Sequence, residues 1–137
     1  MYRNGFTVVE LLVVIAIIGI LASVILGSLR DARDDGLEAK IKSELVLLGK
    51  RASVDESKNF TYDVVCGSNG IATSTEIMRI ITSIERFSPE TVVCNSDSRR
   101  YAVSAAMSST TFWCIDSQSK SKEVSAQLGA GIDYECL

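Results

Sequence analysis

Glu10 stands at the head of a run, Leu11 to Leu29, that carries no charged side chain. About 20 apolar residues span the hydrocarbon core of a bilayer, and only internally bonded backbone is tolerated there. The run therefore commits the chain to an α-helix before any other element is considered. A carboxylate in such a helix costs roughly 2.5–3.5 kcal/mol near the bilayer centre, so its presence calls for a partner charge. The 47% apolar content of the 137 residues is inflated by this run, and the rest reads as a soluble surface domain.

If the chain is cut after Gly5, a new α-amine appears on Phe6, about one helical turn from Glu10. Gly5-Phe6-Thr7-Val8-Val9-Glu10-Leu11, with the apolar run behind it, resembles the processing site of type IV pilins and type II secretion pseudopilins. The resemblance is strongest over residues 3–29 and fades afterwards. It implies that a membrane-embedded prepilin peptidase cuts after Gly5 and N-methylates Phe6. It also implies that Glu10 pairs with the methylated amine of an adjacent subunit during filament assembly. A secretory signal and a plain membrane anchor are the competing readings. A secretory signal is cut beyond an apolar stretch shorter than this one, and here the small-residue site at Ala22-Ser23 is followed by further apolar residues. Arg3 is the only charged side chain ahead of Glu10 and favours a cytoplasmic N-terminus, with everything after Arg30 outside.

On this reading residues 1–5 are a cleaved leader and 6–29 a transmembrane and filament-core helix. Residues 30–56 continue that helix amphipathically, and 57–137 form a head with disulfides. Leu37, Ile41, Leu45, Leu48 and Ala52 recur at steps of three and four, one stripe of a helix. Lys40, Lys42, Glu44, Lys50 and Arg51 lie opposite. Glu38/Lys42 and Lys40/Glu44 are spaced for ion pairs, within the helix or between subunits. Gly19, Ser23 and Gly27 repeat every four residues and line one face with small side chains, which lets helices approach closely in lipid. Many type IV pilins carry a proline in this region where the helix unwinds locally; here Gly27 takes that place, and glycine weakens a helix less than proline does.

Beyond the helix, Asn59 to Gly70 reads as a loop. Thr73-Ser74-Thr75-Glu76 has the spacing of a capping box, and Ile77, Ile80, Ile81, Ile84 and Phe87 mark a short amphipathic helix ending near Pro89. Strand-like stretches follow at Thr91–Cys94, Arg99–Met107 and Thr110–Asp116, then a polar turn at Gln118–Lys122. Val124–Leu128 is a fourth strand or a helical turn, and Gly129–Leu137 is a loop. The fold class is α+β: a long N-terminal helix packed on a small antiparallel sheet, with an extra short helix. Pilins share that layout.

Four cysteines, Cys66, Cys94, Cys114 and Cys136, form no C-x-x-C pair, and the chain has no histidine. Zinc knuckles are thereby disfavoured, and a body outside the membrane makes disulfides the default. Spacing alone leaves three pairings open. The resemblance favours Cys114–Cys136 closing a C-terminal loop, and with it Cys66–Cys94.

The lack of histidine also removes Ser-His and Cys-His nucleophile systems, and the glycines form no phosphate-binding loop. The expectation is a protein that is no enzyme and has no cofactor. A net charge of −3 argues against nonspecific nucleic-acid binding by the whole body. Arg99-Arg100 with Lys120 and Lys122 is the candidate basic patch for DNA, against a simpler reading as solubilising charge. Asp31, Asp34 and Asp35 share a helix face but are interrupted by Arg30 and Arg33. Asp133 and Glu135 are the tail carboxylates for calcium, by resemblance to some pseudopilins; the expectation is no metal. Trp113 reads as a core aromatic packed on a disulfide.

The resemblance thus implies a structural subunit of a type IV pilus-like filament, its partners being identical subunits, the prepilin peptidase, an inner-membrane assembly platform and, before assembly, the membrane itself. A secretion or competence pseudopilin shares the same leader. A monomeric membrane-anchored binding module is the rival from another class.

Overall fold

The computed structural model describes residues 5–137; Arg3 and the rest of the leader's first four residues lie outside the described residues. The elements run α1 (Val8–Asn59), α2 (Asp63–Cys66), α3 (Thr75–Glu85), β1 (Val93–Ser96), β2 (Tyr101–Ala106), β3 (Phe112–Asp116) and β4 (Ser121–Val124). The chain divides into two compact units, one reaching to Gly36 and one from Leu37 to Leu137.

In the first unit α1 carries no charge from Leu11 to Leu29 and is apolar on every side there, and this run, long and apolar enough to cross a membrane, is exposed throughout. Its serines are satisfied within the helix. Ser23 Oγ donates to the Ile20 carbonyl at 2.8 Å and Ser28 Oγ to that of Ile25 at 3.1 Å. Such back-bonding lets a hydroxyl enter hydrocarbon without leaving a polar group bare.

In the second unit the amphipathic half of α1 lies on the sheet. Ile41, Leu45, Leu48 and Ala52 are buried against Tyr101, Val103, Ala105, Met107 and Ile115, with Ile77 and Ile84 of α3 and Val64 and Val65 closing the core. Each large aliphatic side chain hidden here contributes about 1.5–3 kcal/mol. The stripe extends one step further than its apolar residues, to buried Asp55, which Arg51 clasps with two nitrogens at 2.9 and 3.1 Å. Gly49 permits the close approach of α1 to the sheet, because a Cβ there would lie 3.3 Å from the Tyr101 hydroxyl. Lys40–Glu44 (3.3 Å) and Lys42–Glu38 (3.5 Å) pair along their own helix.

The four strands pair antiparallel in sequence order, with Val103 opposite Cys94 and Ile115, and Cys114 opposite Lys122. All six residues of β2 are buried. One face of β2 meets α1; Ala102, Ser104 and Ala106, which alternate to the other face, are hidden as well. The tail supplies the contacts there. Leu128 N donates to Ser104 Oγ (3.2 Å), and Asn95 Nδ2 donates to the carbonyls of Gly129 (2.8 Å) and Asp133 (2.7 Å). Gly131 N donates to Asn95 Oδ1 (2.7 Å), and Cys136 N to Asp116 Oδ2 (2.9 Å). The tail is therefore a third layer rather than a loose end.

Three sequence expectations are corrected. The Asn59–Gly70 loop contains the one-turn helix α2, built around the buried carboxylate of Asp63, which accepts from Thr61 Oγ1, Ser68 Oγ and Asn69 Nδ2 at 2.7, 2.7 and 2.9 Å. The capping box at Thr73–Glu76 does not form: α3 starts one residue later, Ser74 caps with no side-chain bond, and Glu76 instead pairs with Arg79 at 3.1 Å. The fourth strand is Ser121–Val124, not Val124–Leu128. Asp116 Oδ1 accepts from Gln118 N (2.9 Å) and Lys120 N (3.0 Å), which tightens the turn and brings the polar segment into pairing early.

Burial pushes the Tyr101 hydroxyl up to about 12, with the neighbouring Tyr62 and Asp116 adding to the shift. Its folded value lies above the unfolded one, so the unfolded chain gives up the proton first. The stability carried by the neutral phenol is whole below pH ~10 and is lost as pH rises through about 12. The urea midpoint of the head is expected to fall across that window, and Tyr101→Phe to flatten the fall; equal slopes for the two proteins would contradict the assignment.

Candidate processing and assembly site

Gly5, Phe6 and Thr7 precede the first helical residue, so the Gly5–Phe6 peptide bond lies outside the hydrogen-bonded ladder of α1. All three are exposed, Phe6 at 82%. An exposed bond outside the helix, with glycine on its carbonyl side, is what a peptidase can take into a cleft without unwinding a helix.

The helix begins with a reciprocal cap. Thr7 N donates to Glu10 Oε2 at 2.9 Å and Thr7 Oγ1 donates to the same oxygen at 2.8 Å, while Glu10 N approaches Thr7 Oγ1 at 3.3 Å. These are the bonds of a capping box, with Thr7 as cap and Glu10 three residues in. The acid also sits where the positive end of the helix dipole favours it. The role of Thr7 goes beyond the amine pairing expected of Glu10, and its signal in the sequence is the Thr-x-x-Glu spacing, which occurs both here and at Thr73.

The cap shapes what the acid can do next. Both Thr7 bonds fall on Oε2, and among the described residues Oε1 has no hydrogen-bond partner. Every atom of the cap lies on the retained side of the Gly5–Phe6 bond. Were the bond cut, the Phe6 amine would be the nitrogen immediately preceding Thr7 N, near a carboxylate whose Oε1 has no partner among the described residues.

Further along α1, Gly19, Ser23 and Gly27 share a face, and a Cβ at either glycine would meet nothing within 4 Å. Among the described residues no contact explains the glycines, so the small-residue face is available to another helix.

The remaining candidates are held within their own chain. The cysteines are joined as Cys66–Cys94 and Cys114–Cys136. Asp133 Oδ2 accepts from Gly129 N (2.7 Å), and Glu135 lies 3.6 Å from Arg100. Among the described residues no three histidine, cysteine or carboxylate groups gather as a metal cluster. Arg100 also pairs with Asp97 at 3.1 Å and lies over the Tyr134 ring, while Lys120 Nζ donates to the Cys136 carbonyl at 3.4 Å. Trp113 packs against the core, donates to Ser121 Oγ at 3.1 Å and carries Lys42 over its face.

Residues 1–26 match the prokaryotic N-terminal methylation motif, the class III prepilin leader of type IV pilins and pseudopilins. The chain thus carries the leader that marks type IV pilin-like and pseudopilin subunits, and that leader together with the apolar α1 fits membrane anchoring. Comparison with curated proteins and with solved structures gives no match, so the head is described by its own geometry alone.

Proposed function

We propose that this chain is a non-catalytic structural subunit of a type IV pilus-like surface filament. It is cut after Gly5 and methylated on Phe6 by a prepilin peptidase. The observation that carries the reading is an exposed, non-helical Gly5–Phe6 bond directly ahead of a capped helix with Glu10 in its first turn.

Before assembly the stem sits in the cytoplasmic membrane with its N-terminus inside and the head outside, where both disulfides persist. Assembly at an inner-membrane platform transfers stems from lipid into a bundle. The stem is already in an apolar medium, so transfer gains little from hydrophobicity. Close packing along Gly19, Ser23 and Gly27 and pairing of Glu10 with a neighbour's Phe6 amine supply the specificity. A subunit out of register carries an unpaired acid, which sets the step between neighbours. Two disulfides and the added α3 on the head favour a pilus subunit over a secretion or competence pseudopilin. The basic groups give DNA little support as a partner, since Arg100 is already paired with Asp97 and Glu135.

Mass spectrometry of protein sheared from cells tests this. An N-terminal peptide that begins at Phe6 and is heavier by one methyl group supports processing and filament assembly. A peptide beginning at Met1, or none in the sheared fraction, leaves a monomeric membrane-anchored module as the better account.

A further inference from the structure

We infer that α1 contains a soft joint at Asp31–Gly36, just outside the apolar run, and that the helix opens there before either of its flanks does. Four of these six residues, Asp31, Asp34, Asp35 and Gly36, are poor helix formers. Asp31 stands three and four residues from Asp34 and Asp35, so like charges face each other along one side. Among the described residues no ion pair ties these carboxylates to Arg30 or Arg33, although both are near in sequence. Every residue from Asp31 to Gly36 is exposed, so no tertiary packing holds the segment. A Cβ at Gly36 would meet nothing within 4 Å, so packing does not demand the glycine, and its effect is on the backbone alone. The boundary between the two compact units falls at the same place, between Gly36 and Leu37.

The flanks differ in kind. Toward the N-terminus the helix is sheathed in apolar side chains, and opening it in lipid would strand backbone N–H and C=O groups without water. Opening at Gly27 in lipid is disfavoured for this reason, and opening in the first polar turns beyond the run is favoured. Toward the C-terminus, Glu38–Lys42, Lys40–Glu44 and buried Ile41 hold the helix. Between them water satisfies any backbone group that is released. A helical residue rises 1.5 Å and an extended one up to about 3.3–3.6 Å, so opening six residues lengthens the chain by about 11 Å. A filament of such subunits can stretch without breaking stem packing or unfolding heads.

Hydrogen exchange on the full chain in detergent micelles tests the joint on the unassembled subunit, so its outcome is separate from that of the filament reading. Amides of Asp31–Gly36 are expected to exchange at least tenfold faster than those of Leu45–Ala52 and of the apolar run. The triple variant D31A/D35A/G36A is expected to slow them at least tenfold while leaving the thermal midpoint of the head unchanged. Protection equal to that of the flanks, or no change in the triple variant, would overturn the inference.

Discussion

Glu10→Ala is expected to abolish filament formation and leave the head folded. The carboxylate touches nothing beyond Thr7 among the described residues, and the core that holds the head begins at Ile41. Far-ultraviolet circular dichroism and the thermal midpoint of the head should therefore match those of the parent protein. In the proposed filament the variant would leave each methylated amine without a counter-charge. Breaking a buried pair by removing one partner costs about 3–5 kcal/mol, so the yield of sheared filament should fall at least ~100-fold. Two companions separate the roles of the acid. Glu10→Gln keeps an acceptor for Thr7 but removes the charge, and it should fail as Glu10→Ala does. Thr7→Val removes the hydroxyl half of the cap, leaves the backbone N–H bond to Glu10 and keeps the charge, and its filaments should form in reduced amount. Normal filaments from Glu10→Gln would show that the acid serves as a helix cap and no more.

The double variant Cys114→Ala/Cys136→Ala is expected to release the tail and destabilise the head. The bridge closes a loop with a sequence separation of 22, for which chain entropy gives about 3 kcal/mol. At about 4–8 °C per kcal/mol for a domain of this size, the thermal midpoint should drop by roughly 12–24 °C. The loss has a spatial signature. Asn95, Ser104 and Asp116 are buried and bond to the tail, so hydrogen exchange should rise at Leu128, Gly131 and Cys136, whose amides those side chains receive. Exchange at the buried stripe of α1 should change least. A midpoint shift of only a few degrees, with the tail still protected, would mean that the side-chain bonds hold the third layer without the bridge.

The long helix, the buried stripe and the small sheet were legible because each rests on one periodic signal. Ile41, Leu45, Leu48 and Ala52 are apolar on one face whatever the rest of the chain does, and the leader is a local motif. What escaped was set by polar side chains acting at a distance. Asp63 orders its turn through Ser68 and Asn69, Asp116 draws Lys120 into a tight turn, and Asn95 reaches the tail across a sequence separation of 38. Polar residues in strands usually signal solvent; here they bond to a layer whose sequence has no period. β4 was displaced for the same reason: Ser121, Lys122 and Glu123 are exposed on an edge, where charge blunts further pairing and leaves no apolar alternation to find. Thr7 is a different case, because Glu10 can serve both as a helix cap and as a counter-charge and its spacing to Thr7 alone does not separate the two roles.

The reciprocal bonds between Thr7 and Glu10 have a bearing on what maturation accomplishes. The Thr7–Glu10 bonds lie wholly on the Phe6 side of the Gly5–Phe6 bond, so a cut there leaves this cap's own atoms in place. Such a cut would remove residues 1–5, with the Arg3 charge, and would place a cation close to the Glu10 carboxylate. On the proposed function, the peptidase would act as a licence stamped on a part whose helix start is already made.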